Sequence, residues 1–91
     1  MNIRYSRGMR VLWRQAGDRV LLLPAAEGEL VSLTGTGVVL WELLTQPLEL
    51  SELSALLSAA YDADPDVVAA DVLPTLEELA RRGLVNAETR P

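Results

Sequence analysis

The 91-residue chain contains no cysteine and no histidine. Those two absences remove thiol nucleophiles, imidazole acid–base chemistry and zinc sites built on either residue. Without cysteine there is no disulfide framework, which agrees with a reducing, cytoplasmic setting. Lysine is missing too, so all eight basic residues are arginine. Long apolar runs are also lacking: the longest, VLLLPAA, is far too short to cross a bilayer and contains Pro24. The opening residues carry Arg4, Arg7 and Arg10 and no apolar stretch, so neither a signal peptide nor a membrane partner is expected.

What is present suits one small domain spanning residues 1–91, with 49% hydrophobic residues to build a modest core. Residues 1–8 are expected to form a flexible N-terminal arm and residues 86–91 a C-terminal tail. The net charge of −5 is unevenly spread. Five arginines and one aspartate fall between Met1 and Arg19, and eleven acids with no base between Val20 and Ala80. An acidic body of this kind repels a phosphate backbone. It is either a solvated surface or a means of speeding encounter with a basic partner segment.

The pattern predicts three short strands and then three helices. MRVLWRQ (9–15) alternates in part, AGD (16–18) signals a turn, and RVLLLP (19–24) is the partner strand. AAEG (25–28) makes the next turn and ELVSL (29–33) the third strand, with Val31 and Leu33 toward the core and Leu30 and Ser32 away from it. Thr34 or Thr36 is a candidate cap for the first helix, whose apolar positions are Val39, Leu40, Leu43 and Leu44 and which ends by Pro47. Ser51 is the expected N-cap of the second, with a stripe of Leu53, Leu56, Leu57 and Ala60. Asp64 caps the third, which runs from Pro65 to Arg82 and stops at Gly83. Its core arc is Val68, Ala69, Val72, Leu76, Leu79 and Ala80, and Pro74 predicts a kink or break. LVNA (84–87) suits a short extended segment. The fold class is α+β, winged-helix-like, a three-stranded antiparallel sheet followed by three helices.

Catalysis finds little support, and neither catalytic residues, metal ligands nor cofactors are expected. Glu77 and Glu78 point in different directions on a helix, whereas paired carboxylates need an enclosed site that separates their pKa values. GTG (35–37) lacks the lysine and spacing of a phosphate loop and suits a strand-to-helix turn. DADPD (62–66) lacks the glycine and distal glutamate of a calcium loop and suits a helix cap. Trp13 and Trp41 fit core packing better than a ligand platform. The second and third helices admit a helix–turn–helix reading, but the third offers Asp66, Asp71, Glu77 and Glu78 where a recognition helix needs donors for bases.

The remaining signal is the third strand, which has no later strand to pair with. Its edge either accepts an extended peptide by strand addition or is simply short or covered. The run from Val20 to Val85 resembles the PqqD-like family, the RiPP recognition elements that bind leader peptides. The resemblance lies in LLL (21–23), VSL (31–33) leading into TGTG, LWELL (40–44), ELSALLSAAY and ADVLPTLEELARRGLV (70–85). It departs at TQP (45–47), where many relatives have an Asp-Gly turn, and at Pro74.

That resemblance implies three strands and three helices, with a precursor's leader peptide bound as a fourth strand between strand three and helix three. It implies delivery to modifying enzymes rather than chemistry of its own. A free-standing domain with arginine-rich ends is similar to the split B protein of lasso-peptide clusters, which works beside a leader peptidase and a cyclase. Carried over by position, Glu29, Leu30, Val31, Ser32 and Leu33 form the pairing strand, and Val68, Asp71, Val72 and Thr75 the facing wall. The chain is expected to be a monomer or a weak dimer. The rival functions are a winged-helix DNA-binding regulator and a structural subunit of a larger enzyme without peptide specificity.

Overall fold

The turn at Gly17 and Asp18 sets the first hairpin. Gly17 has φ +65°, so glycine occupies the first position of a two-residue loop, as the right-handed twist of the flanking strands favours. In this computed structural model, which describes residues 2–24 and 28–90, β2 (Val11–Ala16) and β3 (Arg19–Pro24) pair antiparallel from Ala16–Arg19 to Val11–Pro24. On its other edge β3 pairs with β4 (Val31–Thr34), giving a sheet of order β2-β3-β4. Helices α1 (Thr36–Leu43), α2 (Leu50–Tyr61) and α3 (Pro65–Arg81) follow. The predicted class therefore holds: an antiparallel three-stranded sheet, then three helices.

The chain ends depart from expectation. Residues 2–7 of the expected arm form β1 (Asn2–Arg7), and the expected tail forms most of β6 (Val85–Arg90). Together with the short β5 (Leu48–Glu49) they make a second sheet, of order β5-β1-β6. Charge explains part of the pairing, since Arg4 stands opposite Glu49 on one side and Glu88 on the other. Opposite charges directly across an antiparallel pair stabilise it. Burial of Tyr5 and Val85 supplies the rest. The expected turn at 25–28 falls mostly on residues 25–27, outside the described residues.

Helix boundaries shift where local chemistry overrides the simple signals. Thr34 still belongs to β4 and Thr36 is already helical, so Gly35 is the N-cap of α1, with φ +55° and no side-chain bond. That helix ends at Leu43, earlier than Pro47 suggested. Ser51 does not cap α2. The extended Glu49 does, and its N–H donates to Glu52 Oε1 at 2.9 Å, half of a capping box. At α3 the sequence reads correctly: Asp64 Oδ1 accepts from the Asp66 N–H at 2.8 Å, and Pro65 opens the first turn. Gly83, at φ +75°, closes the helix in a Schellman arrangement, with Leu84 N–H donating to the Leu79 carbonyl at 2.9 Å. Pro74 does not break α3, which remains one helix across it. Both Pro74 and Ala70, whose carbonyl loses its usual partner, are exposed.

Val20, Leu22 and Leu33 from the first sheet, Leu40, Trp41 and Leu44 from α1, Leu53 and Leu57 from α2, and Val72, Leu76 and Leu79 from α3 form one core. Leu84 and Val85 close it from the C-terminal side. The predicted stripe of α2 is half right: Leu56 and Ala60 are exposed. Among the described residues, no helix is long and apolar enough to cross a membrane.

Candidate functional site: a cleft beside the β4 edge

Among the described residues β4 pairs with β3 on one side only, so its outer row of backbone N–H and C=O groups is open. Beside that edge lies a cleft of about 530 Å³. Ser32, Leu33 and Thr34 form one wall and Val68, Asp71, Val72 and Thr75 of α3 take part in the other. Gly37 and Leu40 of α1 and Leu57 of α2 contribute between them, with Tyr61 and Ala63 at the α2–α3 junction. Leu40, Leu57 and Val72 are buried core residues, so the apolar floor is part of the packed interior and does not depend on a mobile loop.

Six of the nine residues singled out from sequence meet here: Ser32, Leu33, Val68, Asp71, Val72 and Thr75. Glu29 and Leu30 fall short of the strand and do not line the cleft, and Val31 packs toward the core. The ladder stops at Leu22–Val31 because the next positions of β3 run into Pro24, which has no N–H to donate. A Cβ on Gly28 would come within 2.7 Å of the Pro24 ring, so the chain approaches β4 pressed against that proline. Ser32 and Leu30 are exposed and Leu33 is buried, as strand alternation requires.

Sequence reasoning missed the contributions of Thr34, Thr36, Gly37, Leu40, Leu57, Tyr61 and Ala63. Tyr61 had a signal, being the sole aromatic at the end of an otherwise small-residue run, SAAY. It remains 48% exposed at the cleft. Leu57 and Leu40 carried none, because they read as ordinary core positions and are also that.

The cleft is acidic where it is charged. Asp71 is exposed on its wall, and Asp62 and Asp64 flank Ala63 at the junction. Among the described residues, no arginine lines it. Among the described residues no group of acids is placed to hold a metal ion. The arrangement can bind an extended segment by its backbone and take apolar side chains, favouring a neutral or basic one.

Outside the cleft lining, Arg7 is packed between the two tryptophans. Its guanidinium carbon lies 4.7 Å from both the Trp13 and the Trp41 ring centroids, and the rings meet edge to face at 6.0 Å. Trp41 is buried in the core, whereas Trp13 packs on it and on Arg7 while 46% exposed.

Residues 19–85 match the family described as coenzyme PQQ synthesis protein D (PqqD). Two solved structures are similar. One is TbiB1 in complex with the TbiA(beta) leader peptide, 25% identical, with a TM-score of 0.81 over 93% of this chain and 99% of that one. The other is the solution structure of the PqqD truncation of Methylobacterium extorquens PqqCD, described as a functional, stand-alone RiPP recognition element. It is 28% identical, with a TM-score of 0.66 over 93% of this chain and 88% of that one. No curated protein matches the sequence. The family match covers well over half of the chain and the fold agrees across nearly all of it: the protein belongs to the PqqD family.

Proposed function

We propose that this protein binds the leader peptide of a ribosomally made precursor as an added strand on β4. It presents the peptide to a leader peptidase and a cyclase-type modifying enzyme, in the manner of a lasso-peptide pathway. The observation that carries this reading is the coincidence of an open β4 edge with a cleft floored by Leu33, Leu40, Leu57 and Val72. TbiB1, whose fold this chain shares, was solved with a leader peptide bound, which supports the reading. Binding, rather than catalysis, is what such a cleft can do.

Magnitudes decide which contacts matter. Strand bonds contribute about 0.5–1.5 kcal/mol each, net. Losing the free motion of the peptide costs on the order of 4–15 kcal/mol. The short β4 edge therefore cannot give tight binding alone. Two or three apolar anchors in the cleft, at roughly 1.5–3 kcal/mol each, bring the affinity to the sub-micromolar range. Asp71 is placed to receive a basic side chain or a hydrogen-bond donor from the peptide.

The test is a polarisation titration with a fluorescent synthetic leader encoded by a short open reading frame beside the gene. Saturable sub-micromolar binding, lost when the leader's apolar anchors become alanine, supports the reading. Absence of binding by the folded protein counts against it. A DNA-regulator reading gains nothing from the structure, since the exposed residues of α3 include Asp66, Asp71 and Glu77.

A further inference from the structure

β3 reads RVLLLP, a continuous apolar run of the kind found in strands covered on both faces. Only one of its faces is covered by the described residues. Val20 and Leu22 point into the core and are fully buried, whereas Leu21 is half-buried and Leu23 is 40% exposed on the outer face. Leu12 stands opposite Leu23 in the β2–β3 register and is 66% exposed, and Leu30, just before β4, is 59% exposed. An outer sheet face in water ordinarily alternates to polar residues; β4 does so with Ser32 and Thr34, but Leu12, Leu21 and Leu23 on β2 and β3 do not.

The charges on that face have one sign. Arg14 lies opposite Leu21, Arg19 opposite Ala16, and both are exposed. No strand position on this face is acidic: the others are Leu12, Ala16, Ser32 and Thr34. Asp18, in the adjoining turn, lies 3.9 Å from Arg19 Nε. An apolar centre with arginines beside it, in a protein of net charge −5, is a local reversal of the overall charge. The apolar strip lies on β2 and β3, about 4.8 Å apart, with Leu30 just before β4 beside it, and one α-helix about 10 Å across is wide enough to cover it. A helix laid on the open face completes the layered packing that the sheet lacks.

We propose that the outer face of the β2-β3-β4 sheet docks an amphipathic helix of a partner protein, one whose leucine-type ridge is flanked by aspartate or glutamate. The face meets the cleft at β4, where Ser32 and Thr34 belong to both, but its apolar residues Leu12, Leu21 and Leu23 do not line the cleft, so docking there is tested apart from the peptide-binding reading. A helix seated over Leu12, Leu21 and Leu23 rests on β2 and β3, none of whose residues line the cleft.

Two synthetic helical peptides test it, identical in their leucine face and flanked by glutamate in one and lysine in the other. Titrated by polarisation against the full chain, the glutamate-flanked peptide should bind at least about tenfold more tightly, with an advantage that shrinks as salt rises. Leu12→Ser with Leu23→Ser should weaken it by about tenfold or more, as expected for losing two apolar anchors. Arg14→Glu should shift preference toward the lysine-flanked peptide. Because these side chains are exposed, the variants should keep the wild-type circular dichroism and thermal melt. Equal binding of the two peptides, no saturable binding of the glutamate-flanked one, or binding unaffected by the paired serine substitutions would overturn the proposal. So would sedimentation showing that the unliganded chain dimerises and that the serine substitutions abolish the dimer, since a second copy would then cover the face.

Discussion

Arg7 holds Trp41 twice: its Nε–H donates to the Trp41 carbonyl at 2.9 Å while its guanidinium lies 4.7 Å from the Trp41 ring centroid. The same residue's backbone N–H donates to the Leu44 carbonyl at 3.1 Å, so β1 is tied to the end of α1. Burial lowers the guanidinium pKa and the nearby Glu42 carboxylate opposes that shift, but an arginine stays charged throughout.

Arg7→Ala should therefore lower stability by about 1–3 kcal/mol, through a lost hydrogen bond to a carbonyl and two lost cation–π contacts. Because Arg7 does not line the cleft, leader affinity should stay within about threefold, a difference of less than ~1 kcal/mol. Chemical denaturation and a polarisation titration on the same variant separate the two effects.

The cleft wall gives a sharper test. Val72→Asp places a charge at a buried position and should abolish peptide binding while also destabilising the fold. Thr75 lines the same cleft but is exposed, so Thr75→Arg should block binding with a stability change within about 0.5 kcal/mol. Thermal melts run beside the titrations show whether binding is lost without unfolding.

Pro74 interrupts the hydrogen-bond ladder of α3 at a solvent-facing position. Pro74→Ala restores a donor to the Ala70 carbonyl and should raise stability by about 1–3 kcal/mol. A rise in melting temperature measured by circular dichroism is the expected result.

Tyr5 carries a pH dependence. Burial raises its pKa above the ordinary 10.0, and the Glu77 carboxylate adds to the rise. The folded state thus holds the phenolic proton more tightly than the unfolded chain does. The resulting stability is complete below the unfolded pKa and is lost as pH rises through the folded value. Tyr5→Phe should flatten the alkaline fall in stability, as followed by urea unfolding at increasing pH above the ordinary tyrosine range.

How much of this was legible in the sequence varied with the range of the interaction. The hairpin at Gly17, the Asp64–Pro65 start of α3 and its stop at Gly83 are local signals, and each appears where the residues put it. The pairing of Asn2–Arg7 with Val85–Arg90 joins the two ends of the chain, and no local pattern announces a partner that far away. The arginine-rich opening read as an arm because its acidic partners, Glu49 and Glu88, lie on segments brought near only by folding. The cleft wall on α3 was legible because Val68, Asp71, Val72 and Thr75 share one helical face. Its floor was not, since Leu40 and Leu57 carry the same signal as any core leucine. The strand start was misplaced because Glu29 and Leu30 alternate correctly, while the limit on pairing comes from Pro24 on the neighbouring strand.

The most direct test is amide hydrogen exchange on the isotope-labelled protein, with and without the synthetic leader, read residue by residue. Strand addition predicts slowed exchange at the outward-facing amides within Val31–Thr34, with chemical-shift changes at Val68, Asp71 and Thr75 and none at Leu12 or Leu23. Saturable binding that leaves β4 exchange unchanged, or that perturbs another surface instead, would contradict the assignment of β4 and its cleft as the peptide site.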